Sequence, residues 1–338
     1  MRCSVLILAL AGAVGLFAET QDQVRRSIPV SSTTRLVLTA DYGSIKIQPG
    51  ATRVAEVEVS FRGSPWARSA FDRMLQDFSL DVSQVGSDIR VNGRFKNGWK
   101  PSLFWGLFSH TPCNNGKCLE YSWLRSVEYR VSLPREFNVD LSTSGGSIAV
   151  GDLKGEANTR TSGGNLDFGR IDGPVRGNTS GGSISLMGSH GRAFLRTSGG
   201  EIHIEDVSGD VDAETSGGSI QVNRATGRVS VHTSGGSVTI RDTTGAVDAS
   251  TSGGSVTAHL SAQPNEASRL STSGGSINIE LPRTVHVDVD AETSGGSVVS
   301  DFGAPSSRDG HNLRASINGG GPLLHLRTSG GGIYIQKR

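Results

Sequence analysis

The chain has 338 residues, and its 33 basic and 32 acidic residues leave a formal net charge of +1. Charge is balanced along the chain without a long run of either sign, which argues against a nucleic-acid or anionic-membrane partner. Glycine is abundant, at 46 residues, but it recurs periodically among β-branched residues and therefore indicates turns and not disorder.

Residues 1–18 resemble a secretory signal peptide. Arg2 supplies the positive start, residues 5–17 are apolar, and Ala18 precedes the expected cleavage site. The apolar stretch is short for a membrane span, so we expect no stable span after cleavage; an uncleaved anchor remains the alternative. The sequence therefore predicts an exported protein, either periplasmic or secreted to the cell surface.

Residues 19–137 form a predicted N-terminal capping region of short strands. Within it, residues 64–78 predict one amphipathic helix, with Ser64 as the N-cap and Pro65 at the first helical position. The apolar face of this helix is expected to cover the end of the fold. Residues 42–47 (YGSIKI) look like a worn copy of the repeat described below.

Residues 99–123 are the least repetitive part of the chain. This segment carries six aromatic residues: Trp99, Phe104, Trp105, Phe108, Tyr121 and Trp123. Exposed aromatic clusters mark contacts with partners, so these residues are candidates for partner binding. The alternative interpretation is that the rings cover the open end of the fold.

The same segment contains Cys113 and Cys118, the two cysteines that remain after signal cleavage. In an exported protein, this pair predicts one small-loop disulfide. A metal site that includes His110 is the competing interpretation, but two thiols and one imidazole fall short of the usual four ligands. We therefore predict neither a metal nor a cofactor.

The tetrapeptide Thr-Ser-Gly-Gly occurs ten times. It begins at Thr143, Thr161, Thr179, Thr197, Thr215, Thr233, Thr251, Thr272, Thr293 and Thr328. The first seven copies are 18 residues apart, the next two steps are 21 and the last is 35. A fixed period of this size predicts one repeated structural unit.

Apolar and polar positions alternate on both sides of each repeat Thr. The positions four and two before it, and five and seven after it, are apolar or small in almost every unit, whereas the positions between them are polar and varied. This is the period of a strand with one buried face. The Thr shares the parity of the buried positions, so we expect it to point inward and its hydroxyl to bond to a neighbouring coil.

The Gly-Gly pair of each unit is a predicted corner. Glycine is expected there because it adopts positive φ without a Cβ clash. The predicted corner residues are Gly145, Gly146, Gly163, Gly164, Gly181, Gly182, Gly199, Gly200, Gly217, Gly218, Gly235, Gly236, Gly253 and Gly254. A second turn in each unit has a glycine of its own.

Together these patterns predict an all-β fold. Residues 138–338 would form a β-solenoid of about ten coils, each of 18–21 residues and stacked about 4.8 Å apart. A row of antiparallel hairpins is the alternative, but the repeat tetrapeptide does not carry the Asn-Gly or Asp-Gly that two-residue hairpin loops prefer. The terminal coils should be atypical, and residues 318–320 (NGG) are a candidate degenerate copy of the corner.

No catalytic constellation is found in the sequence. A glycosidase needs two clustered carboxylates. Asp212, Asp248 and Asp290 share one column of the repeat, but Arg176, Ser230 and Arg269 interrupt it. A second aspartate column, with Asp152, Asp206 and Asp242, is interrupted in the same way and reads as a solvated rim. No catalytic, cofactor-binding or metal-binding residue is therefore predicted.

Residues 127–134 (VEYRVSLP), followed by residues 137–148 (FNVDLSTSGGSI), resemble the bacterial "putative adhesin" family of unknown function. The resemblance covers roughly residues 30–338 and implies an extracytoplasmic β-solenoid. This chain departs from the family in using Ser-Gly-Gly where many members carry Asn-Gly, and in its aromatic cysteine segment. No catalytic residue carries over.

The sequence therefore favours a non-enzymatic, adhesin-like or scaffold protein of the cell envelope. Its partner would be an envelope or extracellular protein or a polysaccharide. Two alternatives remain open at this point. One is a carbohydrate-active enzyme that uses the aromatic segment as a sugar platform, and the other is a protein that assembles into filaments through its end coils.

Overall fold

A computed structural model of the chain describes residues 20–30, 35–51, 54–63, 72, 75–96, 124–303 and 310–338. Within these residues, 28 strands form two 14-stranded sheets. Sheet A contains β1 (Thr20–Pro29), β3 (Ser44–Gly50), β4 (Val54–Gly63), β7 (Leu124–Pro134), β9 (Ile148–Val150), β11 (Leu166–Ile171), β13 (Ile184–Ser189), β15 (Ile202–Val207), β17 (Ile220–Ala225), β19 (Val238–Thr243), β21 (Val256–Leu260), β23 (Ile277–Leu281), β25 (Val298–Ser300) and β28 (Ile333–Lys337). Sheet B contains β2 (Arg35–Ala40), β5 (Phe78–Val85), β6 (Asp88–Phe95), β8 (Asn138–Thr143), β10 (Ala157–Arg160), β12 (Val175–Asn178), β14 (Ala193–Arg196), β16 (Val211–Glu214), β18 (Val229–His232), β20 (Val247–Thr251), β22 (Ser268–Thr272), β24 (Val287–Thr293), β26 (Asn312–Ile317) and β27 (Leu323–Thr328).

Each repeat makes one coil, with a strand of sheet B before the corner and a strand of sheet A after it. Successive coils pair in parallel and in register, so that Ala213 lies between Leu195 and Val231 in sheet B. In sheet A, Ile204 likewise lies between Leu186 and Val222. The predicted β-solenoid is thus confirmed, and the parallel pairing rules out the hairpin alternative.

The core is one cluster of inward side chains from both sheets. The predicted inward columns are buried along the whole rod; Leu195, Ile204, Val222 and Val231 are all fully buried. Where one column lacks a side chain, the facing column supplies more volume: the ring of Phe168 and the side chain of Leu166 fill the space beside Gly177. Close packing of this kind is what fixes the register of the coils.

The repeat Thr points inward, as predicted, and its side chain is buried in all ten copies. Its hydroxyl donates a hydrogen bond to a glycine carbonyl of the neighbouring coil. Thr197, for example, donates to Gly182 at 2.7 Å, and Thr215 donates to Gly200 at 2.8 Å. The ten hydroxyls form a ladder that links the coils at one corner of the rod, in addition to the backbone ladders of the sheets.

The second glycine of each corner is required because the backbones stack so closely. A Cβ built on Gly164 would collide with the backbone of Gly146 in the preceding coil, whereas a Cβ on Gly163 would have nothing within 4 Å. The same collision occurs at Gly182, Gly200, Gly218, Gly236 and Gly254. The expected positive φ occurs at only one of the fourteen corner glycines, Gly146, with φ 125°. That expectation is wrong for the other thirteen; at the second glycines among them, steric contact and not the backbone dihedral excludes a side chain.

At the N-terminal end, the coils do not stack in chain order. The coil β2–β3 includes the predicted worn repeat, and it lies between the coil β6–β7 and the coil β8–β9. Gly43 occupies the corner position, and its carbonyl accepts the Thr143 hydroxyl at 2.9 Å. The parallel ladder thus crosses residue 137; the domain boundary expected there stays a prediction.

Antiparallel strands close this end of the rod: β4 pairs with β7, β1 with β4, and β5 with β6. The rings of Phe61, Phe78 and Phe95 contact one another between the sheets, with centroids 4.8 and 5.2 Å apart. Of the predicted helix over residues 64–78, the structure describes helical residues at 72 and 75–77, and Phe78 already begins β5. The helix prediction is therefore wrong at its C-terminal end.

The C-terminal end repeats the same arrangement. The coil β27–β28, last in the sequence, lies between the coil β22–β23 and the coil β24–β25, and β26 closes sheet B in the antiparallel direction. Asn318, with φ 49°, belongs to the turn between β26 and β27. The proposed degenerate corner at residues 318–320 is therefore wrong. In all, twelve coils are stacked among the described residues, a rod of about 50 Å at the usual strand spacing.

Candidate interaction surface

Because the inward columns are filled and similar from coil to coil, chemical variety lies on the two outer faces and along the second turn of the coils. The outer face of sheet B carries alternate residues of β8 to β27. At its centre, Phe194 lies on the solvent side of β14, between Arg176 of β12 and Arg196 of its own strand. The guanidinium carbons of these arginines lie 4.7 and 4.4 Å from the ring centroid, which is cation–π contact distance.

Acidic residues lie directly beside this group. Asp212 of β16 pairs in register with Phe194, and Glu214 pairs with Arg196. The Glu214 carboxylate forms an ion pair with Arg196, at a distance of 3.3 Å. One coil therefore presents cations around a ring, and the next presents carboxylates, so the face changes sign across a single strand spacing.

The outer face of sheet A carries a hydrogen-bonded network. The Glu205 carboxylate lies 2.6 Å from His203 Nε2 and accepts a hydrogen bond from Asn223 Nδ2 at 2.7 Å. Gln221 Nε2 in turn donates to Asn223 Oδ1 at 2.8 Å. The Asn223 hydrogen bond, together with that of His203, lowers the pKa of Glu205. On the same face, partial burial raises the pKa of Asp167.

The second turn contains a groove of about 230 Å³. Gly188 interrupts a column of charged side chains there, leaving a notch between Arg170 and Asp206. The His190 ring lies 2.9 Å from Asp172 at the rim. The groove thus presents both signs of charge to solvent.

The aspartate columns do not form a catalytic pair. Asp248 and Asp290 each lie near an arginine: Arg228 is 3.7 Å from Asp248, and Arg314 is 3.2 Å from Asp290. In the other column, Arg224 lies 3.6 Å from Asp206 and 3.7 Å from Asp242, bridging two coils. The solvated rim expected from the sequence is what the structure shows.

The six predicted partner-binding aromatics lie outside the described residues, as do Cys113, Cys118 and His110. Their roles stay predictions. The described residues that flank the segment belong to the outermost N-terminal coil, since residue 96 follows β6 and Leu124 begins β7. The Phe194 group was missed by the sequence analysis. The signal was present, because Phe194 is an aromatic residue in an otherwise polar column.

In the part of the chain that the structure describes, no group of three or more His, Cys, Asp or Glu side chains is placed to hold a metal ion. No described helix has the length and apolar character needed to cross a membrane.

The fold and its surfaces define a class: an all-β parallel solenoid with filled interior columns and mixed-charge outer faces. The chain belongs to the Toastrack DUF4097 family, whose family model matches residues 33–269. The resemblance inferred from the sequence is confirmed at this level. A search of curated proteins found no relative of this chain.

Three solved structures are similar to the chain over nearly their whole length. One is described as a putative lipid binding protein from Parabacteroides distasonis, with 12% identity, a TM-score of 0.33, and coverage of 94% of this chain and 96% of that one. A putative adhesin from Bacteroides fragilis has 12% identity, a TM-score of 0.29, and coverage of 94% and 97%. A putative cell adhesion protein from Clostridium sporogenes has 12% identity, a TM-score of 0.22, and coverage of 95% and 100%.

Proposed function

We propose that this protein is an exported, non-enzymatic binding or scaffold protein of the cell envelope, acting in the manner of an adhesin. The observation that carries the proposal is the contrast between the inside and the outside of the coils. Inward columns hold apolar or small side chains along the rod, whereas the outward positions of successive strands differ in charge and size, as in the change from Phe194 to Asp212. A rod with an apolar core and a varied surface suits recognition of an extended partner.

The charged groups on the faces support binding more than catalysis. Arg224 is shared between two aspartates, and Glu205 is held by Asn223 and His203, so these groups neutralise or orient one another. A hydrolase would instead aim two carboxylates at one bond. We therefore assign the faces to contact with an envelope or extracellular protein or a polysaccharide.

The test uses the purified mature chain and a panel of immobilised polysaccharides and extracellular matrix proteins. Saturable binding to a panel member is expected, with no change in the size of a bound polymer on gel filtration. Failure to bind any member, or depolymerisation of a bound polysaccharide, would overturn the proposal. Mass spectrometry of the exported protein checks the location, with a mature N-terminus at Glu19 expected.

The aromatic segment is a second proposed contact. Its six aromatic side chains would extend the surface of the outermost N-terminal coil. Trp105→Ala and Trp123→Ala should each weaken binding to the panel member while leaving the melting temperature unchanged. A fall in melting temperature with unchanged binding would assign the rings to covering the core.

A further inference from the structure

The outer face of sheet B gathers a local cationic surface in a chain of nearly neutral net charge. Arg160, Arg176, Arg192 and Arg196 are all exposed on three successive coils, and Phe194 lies among them. We call these five residues the arginine–phenylalanine patch. The four arginines are up to 36 positions apart in the sequence, so only the stacking of coils brings them together.

Most of the arginines of the patch have no ion-pair partner. Of the four, only Arg196 has an acidic partner within ion-pair distance among the described residues, Glu214 at 3.3 Å. On the other side, Glu156 is an exposed carboxylate in the coil of Arg160, and Asp140, one coil further, contacts Arg35 at 2.6 Å. Three guanidinium groups are thus left to solvent on one flat face.

Phe194 orders two of these groups before any ligand arrives. Arg176 and Arg196 both lie over its ring, at 4.7 and 4.4 Å from the centroid. A stacked guanidinium keeps its N–H donors in the plane of the group, where they can still bind an acceptor. Less side-chain freedom is then lost when the donors bind an acceptor, which favours affinity.

The chemistry of the patch specifies the ligand. Guanidinium groups bind carboxylates through two parallel hydrogen bonds. Between the arginines, the amides of Asn158 and Asn178 share the outer face and can donate to and accept from hydroxyl groups. A linear polymer that carries carboxylates and hydroxyls at short regular intervals matches this alternation along the coils.

Resting on the proposed function, we infer that the arginine–phenylalanine patch binds an acidic polysaccharide rich in uronic acids. The acidic row of the next coil, Asp210, Asp212 and Glu214, repels the same polymer. It therefore limits the bound segment to the coils that carry the arginines.

The experiment measures binding of the full mature chain to polygalacturonate by titration calorimetry, with dextran as the neutral polymer. Binding to polygalacturonate should be saturable and should weaken as salt is raised, because the contacts are between charges. Arg176→Gln should weaken it about tenfold, the loss expected for a charge-assisted hydrogen-bonded pair. Arg269→Gln is the matched control: the same change, at an exposed residue in the same column of sheet B, should have little effect.

Phe194→Leu separates the ordering of the arginine side chains by the ring from the effect of their charge. It keeps an apolar side chain and all four arginines but removes the ring, so affinity should fall while the salt dependence remains. Unchanged affinity in both Arg176→Gln and Phe194→Leu, or equal losses in Arg176→Gln and Arg269→Gln, would overturn the assignment.

Poly-L-glutamate tests the other class of acidic polymer. Binding as tight as that of polygalacturonate would overturn the glycan assignment in favour of an acidic peptide. Binding of a neutral panel member that is unaffected by the arginine variants would defeat this inference and leave the proposed function standing. Absence of binding to every panel member would instead defeat the proposed function itself.

Discussion

At the scale of single residues, the two glycines of a corner have different steric surroundings. At the corner of Gly163 and Gly164, the first glycine faces open space, whereas the second lies against the backbone of the neighbouring coil. A sequence shows two identical letters in each copy, but the distance to the neighbouring coil separates them. The Thr hydroxyl acts at the same corner, where it satisfies a buried carbonyl.

The glycine pair of one corner gives a matched test. Gly164→Ala forces a Cβ into the backbone of Gly146 and should destabilise the fold by about 1–3 kcal/mol, as overpacking does. Gly163→Ala adds the same methyl group where nothing lies within 4 Å and should change stability by about 0.5 kcal/mol or less. Urea unfolding measures both, and equal losses in the two variants would show that the steric account is mistaken.

Buried threonines with and without partners give a second test. Thr215→Val removes a 2.8 Å hydrogen bond to the Gly200 carbonyl and should cost about 1 kcal/mol. Thr243 is fully buried, and its hydroxyl has no partner among the described residues, so Thr243→Val should be neutral or stabilising. Thermal unfolding compares the two, and the prediction fails if both changes destabilise equally.

At the scale of elements, each strand has a buried side set by the core and an outer side free to vary. In β15, for example, Ile202 and Ile204 are buried, while His203 and Glu205 face outward and Glu205 accepts a hydrogen bond from Asn223 of β17. Cross-strand side-chain pairs of this kind add to the stability of a sheet. In a parallel solenoid, they also couple neighbouring coils on the surface.

The Glu205 network predicts a pH effect. Because hydrogen bonds lower the pKa of Glu205 from its ordinary value of 4.5, the network contributes stability above pH 4.5 and loses it as the pH falls through the lower, folded value. Asn223→Ala removes the hydrogen bond that lowers the pKa of Glu205 most, so this pKa should rise. NMR titration of the Glu205 carboxyl carbon measures it. Asn278→Ala, on the same face but away from Glu205, is the control and should leave the titration midpoint of Glu205 unchanged.

At the scale of the whole molecule, both ends of the rod use the same device. The first coil in the sequence, β2–β3, lies just inside the outermost coil β6–β7. The last coil in the sequence, β27–β28, likewise lies just inside the outermost coil β24–β25. Antiparallel strands β1, β5 and β26 then lie at three of the four sheet edges, and the three-residue strand β25 lies at the fourth. Open edges favour pairing with other chains, and covering strands reduce that hazard. This arrangement weighs against filament formation through the ends, which light scattering of the purified chain can test.

The inside position of the coil β27–β28 has a measurable consequence. Deletion of residues 323–338 removes the strands that pair with β24 and β25, and also the Gly331 carbonyl that accepts the Thr293 hydroxyl at 2.7 Å. Amides of β24 and β25 should then lose protection in hydrogen exchange, while those of β16 to β19 keep it. Retained protection in β24 would mean that the coils can restack in chain order.

The repeat unit of this protein is predictable from its sequence. A fixed spacing from Thr143 to Thr251, with two-residue alternation around each Thr, is sufficient to specify a coil with two strands and an inward Thr, because burial of one strand face leaves a direct trace in local sequence. The tertiary structure alone decided which coils are neighbours at the ends, because pairing between β2 and β8, or between β22 and β27, leaves no local trace. It also decided that Arg160, Arg176 and Arg196 share one surface. Residues a full coil apart become neighbours only when coils stack in register. That register depends on core contacts between residues far apart in the sequence.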